Sequence, residues 1–396
     1  MHAAPLPKPM VFNSWPHFDK DEISAVTAVL ESGRVNYWTG EQGRLFESEY
    51  AESLGMRHAV ALCNGTAALE LALLALGIGA GDEVITSSRT FIASASCAVR
   101  VGARPVVADV DPVSQNITAE TIRAALTSRS KAIIAVHLAG WPCDMDPILE
   151  LAEQHGLYVI EDCAQAHGAS YKGRPVGAMG HAAAFSFCQD KIITTAGEGG
   201  LLVTNDPELW RKAWEFKDHG KSYDAVNGGP RGAGFRWLHH SFGTNWRMTE
   251  IQSAIGRIAL KKLAGWVDCR RRNADILNSY LAGVECIRRT MPEDNFFHSY
   301  CKFYCFARPD KLRIDWSRDR LIEEISAAGV PCFSGSCSEV YLERAFPSPW
   351  RPETRLPRAR QLGETSLMFL VHPTLTTEQM HDMGSVVRQV AEKASI

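Results

Sequence analysis

The sequence is short of three things: long apolar runs, clustered cysteines and net charge. No stretch approaches the ~20 apolar residues that a membrane-spanning helix needs. The opening MHAAPLPKPMVFNSWPHF lacks the apolar core of a secretion signal. A cytoplasmic protein without a membrane partner is therefore expected. A formal net charge of −3 provides no polyanion-binding surface, which argues against nucleic acid as a partner. The eleven cysteines are odd in number and scattered, and Cys63, Cys97 and Cys188 lie in apolar runs, where a free thiol behaves as a small hydrophobe. That usage fits a reducing compartment and not a disulfide framework. The pairs Cys301/Cys305 and Cys332/Cys337 lack the tight spacing and nearby histidines of a zinc site, so no metal is expected. Asn116-Ile117-Thr118 spells a glycosylation sequon that has no use without secretion.

What is present is enough chain, 396 residues at 45% hydrophobic, to bury a sizeable core and divide into two domains. Residues 1 to about 17 read as a proline-rich extended arm, followed by a helix from Asp19 to Ser32 with Ile23, Val26, Val29 and Leu30 on one face. From His58 the runs HAVALC, DEVITSS, PVVADV, KAIIAVHL, LYVIED, AAAFSF and GLLVTN alternate largely with helical patterns. Such alternation signals an α/β domain with one dominant, mostly parallel sheet covered on both faces. A polar loop from Lys217 to Gly243, with Gly228, Gly229, Pro230 and Gly232, leads into a long helical pattern carrying Ile251, Ile255, Ile258 and Leu260. We place the arm and large domain at residues 1–255 and a smaller α/β domain, with the run KFYCFARP and a terminal helix near Thr377 to Lys393, at 256–396.

Three motifs lead nowhere. The glycines of Gly77-Ile78-Gly79-Ala80-Gly81 follow a helix and precede a strand, the reverse of a dinucleotide-binding turn. Asp109-Val110-Asp111 ends a strand before Pro112 and reads as a turn. Ser186 and Lys191 do not have Ser-x-x-Lys hydrolase spacing.

The chemistry concentrates between Tyr158 and Gly200. One apolar run ends in Glu161 and Asp162, and a second, Ala182 to Phe187, leads to Lys191. A carboxylate at the C-terminal end of a buried strand sits where open α/β sheets place their ligands, and it can hold a proton on a heteroaromatic ring nitrogen. A lysine in a partly desolvated pocket has a lowered pKa and can form a Schiff base with a carbonyl. Asp162 and Lys191 together match the two protein groups that pyridoxal phosphate requires; the alternative is a loop or cap aspartate and a solvated lysine. The turn Asn64-Gly65-Thr66-Ala67-Ala68 after the first strand opens a helix. Small residues there let a ligand approach, and free amides with the helix dipole suit an anion; a plain helix cap by Asn64 or Thr66 is the alternative.

Three blocks stand in order: NGTAAL from Asn64, EDCAQAHG from Glu161 and SFCQDKIITTAGEGG from Ser186. Together they closely resemble the sugar aminotransferase family of DegT/DnrJ/EryC1/StrS type, pyridoxal phosphate enzymes of the aspartate aminotransferase fold (fold type I), over nearly the whole chain. The resemblance implies a large domain with a seven-stranded-type, mostly parallel sheet flanked by helices, plus a smaller C-terminal α/β domain. It also implies that Lys191 and Asp162 are catalytic, and that Thr66, Ala67 and Ser186 bind the cofactor phosphate. Phe91 would stack on the cofactor ring, with a core phenylalanine as the alternative, and Gln165 would lie against the ring or its phenolic oxygen. His167 would contact the cofactor or support Asp162, and Asn245 would reach the partner's phosphate in a homodimer or, equally, cap the helix that follows. Tyr37 and Trp38 would lie near the substrate mouth, or else serve as packing or dimer anchors; Arg247 or Arg89 would meet a carboxylate or diphosphate. The implied activity moves an amino group from an amino acid, by family habit L-glutamate, to a keto-sugar on a nucleotide carrier, in amino-sugar and polysaccharide biosynthesis. Alternatives are a dehydratase or lyase on the same fold and a non-catalytic regulatory protein.

The chain departs from the family at Ile192, where many relatives have asparagine, and at Gly335-Ser336-Cys337, where many have His-Tyr-Pro. Both positions lie where substrate contacts are expected, so the sugar is not inherited from a relative. A group that dehydrates keto-sugars replaces the lysine with histidine. Lys191 favours transamination.

Overall fold

A computed structural model describes residues 12–228 and 234–396. The earlier part of the proline-rich arm and Gly229, Pro230 and Gly232 of the polar loop lie outside the described residues. The first two helices, α1 (Lys20–Ser32) and α2 (Gln42–Ser53), precede the sheet. Asp19 and Glu22 form a capping box at the start of α1, and Gly33 closes it in the left-handed region at φ 65°.

The central sheet has seven strands in the order β1 (His58–Leu62), β9 (Gly200–Thr204), β8 (Ala182–Ser186), β5 (Tyr158–Asp162), β4 (Ser130–Val136), β2 (Glu83–Ser87), β3 (Arg104–Ala108). Only β9 runs against its neighbours. Strands β2 and β8 are buried along their whole length, as continuous apolar runs in a sheet covered on both faces should be. The expected mostly parallel α/β sheet is what the chain forms. The short strands β6 (Ser170–Tyr171) and β7 (Arg174–Pro175) make a small ribbon with β11 (Phe296–Phe297). A separate antiparallel sheet of β10 (Ile287–Arg289), β12 (Phe303–Ala307) and β13 (Ser366–Phe369) packs with the C-terminal helix Thr377–Ala394.

Helix α3 (Gly65–Ala75), apolar almost all round, buries Ala67, Ala68, Leu69, Leu71, Ala72 and Leu73 between the sheet and α4 (Ala93–Arg100). The expected division at 255/256 falls inside one unbroken helix, Glu250–Leu281. Its start packs on α1 and α2, and it also meets the C-terminal helix. Thr249 and Gln252 form its capping box, while buried Glu250 accepts from the Gln42 and Gly43 amides at the start of α2 (2.6 and 3.0 Å). A carboxylate at that helix start is stabilised by the dipole. Among the described residues no helix is long and apolar enough to cross a membrane.

Neighbouring residues of a strand point to opposite faces, so Glu161 and Asp162 part company. Glu161 is fully buried and accepts from the Gly177, Met179 and Gly180 amides (2.7–2.8 Å) and from His137 Nε2 (3.0 Å). His137 Nδ1 accepts from the Cys143 amide, so this histidine is a neutral donor. Burial pushes the Glu161 carboxyl up, but His137 and the amides outweigh it and hold it below its ordinary value. Glu161 is thus a structural brace for the turn before β8. Glu161→Ala strands these donors and is expected to cost roughly 3–5 kcal/mol, read as a lower urea midpoint; Glu161→Gln, which keeps one acceptor oxygen, loses less.

Candidate active site

Register brings the chemistry to one edge. Asp162, the last residue of β5, pairs with Val136 on β4 and Ala184 on β8, while Leu62 pairs with Gly200 and Gly200 with Ser186. The ends of β1, β5 and β8 therefore meet at the rim that open α/β sheets use for ligands. A cavity of about 660 Å³ opens there. Thr66, Ala67, Phe91, Asp162 and Gln165 line it, as do Ser186 and Lys191.

At one end of the cavity α3 begins. Asn64 Oδ1 accepts from the Ala67 amide at 2.8 Å, so Asn64 is its N-cap. The Ala67 amide, expected to face a phosphate, is held by that cap; the Gly65 and Thr66 amides, which open the helix, have no intrahelical acceptor by geometry. A Cβ on Gly65 would lie 2.6 Å from Ser186 Cβ, so only glycine allows the helix start to touch β8 here.

The acid and the amine line the same cavity. Asp162 is 6% exposed. Its Oδ1 accepts from the Ala164 amide (3.2 Å) and its Oδ2 from Ser94 Oγ (2.7 Å). Burial raises its pKa, opposed first by Ser94. Lys191 Nζ sits 3.1 Å from Asp190 Oδ1, and the Lys191 carbonyl accepts from Trp15 Nε1 at 2.8 Å. The expectation of a lowered lysine pKa is corrected: burial pushes it down, but the adjacent Asp190 carboxylate more than offsets this and leaves it raised. Phe91 is 68% exposed on the cavity wall and is not a core residue. Gln165 Oε1 accepts from the Ala139 amide at 2.9 Å, which fixes its side chain.

His167 does not touch Asp162. Its Nε2 donates to the Ser186 carbonyl (2.8 Å) and its Nδ1 accepts from Tyr50 (2.7 Å), a pairing that requires the neutral ring. It braces the residue after which the chain turns toward Lys191. Asn245 forms a backbone bridge with Asp218, and its neighbour Trp246, not Asn245 itself, lines this cavity.

Tyr37, Trp38 and Arg247 gather elsewhere. Tyr37 is buried, donates to Glu47 Oε2 (3.0 Å), accepts from Trp214 (3.3 Å) and lies under Lys217 Nζ, 3.9 Å from the ring centre. Trp38 stands edge-on to Trp214, with Lys221 over its ring. Arg247 Nη1 donates to Asp218 Oδ1 at 2.6 Å. None of the three lines the cavity. The contacts of Tyr37 with the Glu47 carboxylate and the Lys217 ammonium are those of a packing anchor, one of the readings the sequence leaves open. Arg89 is fully buried, with Nε donating to Gln115 and its guanidinium over the Tyr304 ring.

Sequence reasoning missed Ser94, Thr90 and Trp15. The signal for the first two is a pair of hydroxyl residues four apart, straddling a strand-to-helix turn; Trp15 carries none, because its contact spans most of the large sheet's sequence.

A mostly parallel seven-stranded sheet with a helix N-terminus, an acid and a lysine on one rim defines the class of fold type I pyridoxal phosphate enzymes. The chain belongs to the DegT/DnrJ/EryC1/StrS aminotransferase family, whose model matches residues 16–388. It is 36% identical over 380 residues to the UDP-N-acetyl-3-dehydro-alpha-D-glucosamine 3-aminotransferase of Acidithiobacillus ferrooxidans, covering 93% of this chain and 94% of that one. Its structure matches the crystal structure of an aminotransferase from Psychrobacter cryohalolentis with a TM-score of 0.95 at 55% identity, over 97% of this chain and 100% of that chain. It also matches a putative sugar aminotransferase from Streptococcus pneumoniae in its PLP form, with a TM-score of 0.87 at 25% identity, over 98% and 99%.

Two outcomes follow from this geometry. Tyr37→Phe removes one hydroxyl from a buried network and is expected to lower stability by about 1 kcal/mol, seen in thermal melting, with substrate KM unchanged. Burial pushes His167 down to about 4 from its ordinary 6.5. The unfolded chain therefore binds this proton first as pH falls, and stability is lost between about pH 6.5 and 4, on the order of 3 kcal/mol in full. Urea midpoints measured at pH 7 and pH 5 should converge in a folded His167→Gln relative to wild type.

Proposed function

We propose that this aminotransferase uses pyridoxal 5'-phosphate to move an amino group from an amino acid, with L-glutamate the first candidate, to a keto-sugar on a nucleotide carrier in amino-sugar biosynthesis. The carrying observation is that Asp162 and Lys191 line one cavity together with the capped start of α3. An anion-binding helix start, a buried acid, an amine and an exposed aromatic ring make the donor set that this cofactor requires. The named relative acts on a UDP-linked sugar, which supports the substrate class.

Bound pyridoxal phosphate supplies an electron-poor ring that takes up the charge of a carbanion. The protein does the rest. Lys191 would hold the cofactor through its Nζ and, when free, would serve as the base and then the acid that moves the proton at the substrate carbon. Since Asp190 favours its charged form, Lys191 must first give up a proton, and loading is faster as pH rises. Asp162 holds the proton on the ring nitrogen. Phe91 covers one ring face and excludes water, and Gln165, already fixed by the Ala139 amide, orients the ring edge. Thr66, Ala67 and Ser186 hold the phosphate; the Ala67 amide takes part where the Asn64 cap yields to the anion. Asn245 of a second copy completes the phosphate site, so the working form is a homodimer, acting in the cytoplasm. Trp38 and Arg247 lie on the substrate side of that assembled site.

The test is absorbance of the purified protein with pyridoxal phosphate, before and after L-glutamate. Wild type is expected to show the visible band of lysine-bound cofactor and to lose it on adding glutamate. Lys191→Ala should show no such band, and its turnover of nucleotide-linked keto-sugars should fall by about 10³-fold or more. No visible band in wild type would sink the assignment of Lys191; a band that glutamate leaves unchanged would sink the choice of donor.

A further inference from the structure

We infer that Thr90 and Ser94 form a two-hydroxyl relay that fixes the orientation and negative charge of Asp162, so that Ser94 is a positioning residue for the contact to the ring nitrogen. The inference rests on the reading of Asp162 given above. Ser94 Oγ lies 2.7 Å from Asp162 Oδ2, and Thr90 Oγ1 lies 2.8 Å from Ser94 Oγ. An ionised carboxylate only accepts, and a serine hydroxyl carries one proton. Ser94 must therefore donate to Asp162, and the proton between the two hydroxyls must come from Thr90. The direction of the chain, Thr90 to Ser94 to Asp162, is set by chemistry alone.

Both hydroxyl residues are 1% exposed, so bulk water does not compete for these bonds. With the Ala164 amide on Oδ1, each carboxylate oxygen is held by one donor and keeps acceptor capacity toward the cavity. Ser94 is the second residue of α4, and Thr90 precedes Phe91 in the turn that joins β2 to α4. One turn thus places the ring's cover and the support of its acid together.

Burial favours the protonated acid, and Ser94 opposes it most strongly, followed by the Ala164 amide and the charge of Lys191. The other titratable groups facing Asp162 are the thiols of Cys97, Cys143 and Cys163, each kept neutral because burial pushes it up. A protonated Asp162 cannot hold a second proton on a ring nitrogen. Without the Ser94 proton, Asp162 takes up its own at higher pH.

The test is an infrared pH titration of full-length protein freed of cofactor, following the protonated carboxyl band that disappears in Asp162→Asn. Ser94→Ala is expected to raise the Asp162 midpoint by about one pH unit, about tenfold in proton affinity. Ser94→Thr should restore it, and Thr90→Val should shift it upward by less. Thr90→Val also carries the test if Ser94→Ala does not fold. An unchanged midpoint in folded Ser94→Ala, or an equal shift in Ser94→Thr, overturns the relay. The role of Asp162 at the ring nitrogen is judged separately, by whether Asp162→Asn weakens binding of pyridoxal phosphate to the same protein.

Discussion

The site depends on two backbones lying closer than any side chain would permit. Gly65 meets the side chain of Ser186, and a Cβ on Gly200 would collide with the Asn64 carbonyl. Because β1, β9 and β8 are in register through Leu62, Gly200 and Ser186, this contact is also what sets the start of α3 against the end of β8. Widening it by one methyl group would move the helix start away from the acid and the amine together. In a closely packed interior such a shift is not absorbed locally.

Two buried carboxylates one residue apart show how placement decides use. Glu161 has four donors and no cavity, so it is satisfied and inert. Asp162 has two donors and faces open space; its remaining acceptor capacity is what a ligand can use. The cost of burying each charge is met by different elements: the turn before β8 for Glu161, the start of α4 for Asp162.

Much of this was legible in the sequence, for identifiable reasons. All seven central strands stand in short apolar runs, and the acid, the lysine and the helix start fall within blocks whose order matches the family. The long helix from Glu250 could be read from Ile251, Ile255, Ile258 and Leu260, but not its full course to Leu281. The burial of Tyr37 was illegible because its partners, Glu47, Trp214 and Lys217, come from other elements. The charge preference of Lys191 turned on Asp190, visible one residue away, yet only the side-chain geometry shows the two in contact. Ser94 looks like an ordinary helix-start serine until Asp162 is placed beside it.

The bond from Trp15 to the Lys191 carbonyl ties the amine's backbone to a residue that precedes the whole central sheet in the chain. Trp15 is itself seated edge-on against Trp266, at 5.2 Å between ring centres, and stacked near His372 at 6.3 Å. On the ribosome the chain emerges from its N-terminus at roughly 5–20 residues per second, so Trp15 waits without its seat while the central sheet is made. Both ring partners, Trp266 and His372, follow the last strand of the central sheet in the chain. The lysine loop therefore gains this anchor only after all seven central strands have been made, and a chain truncated before Trp266 has the sheet without it.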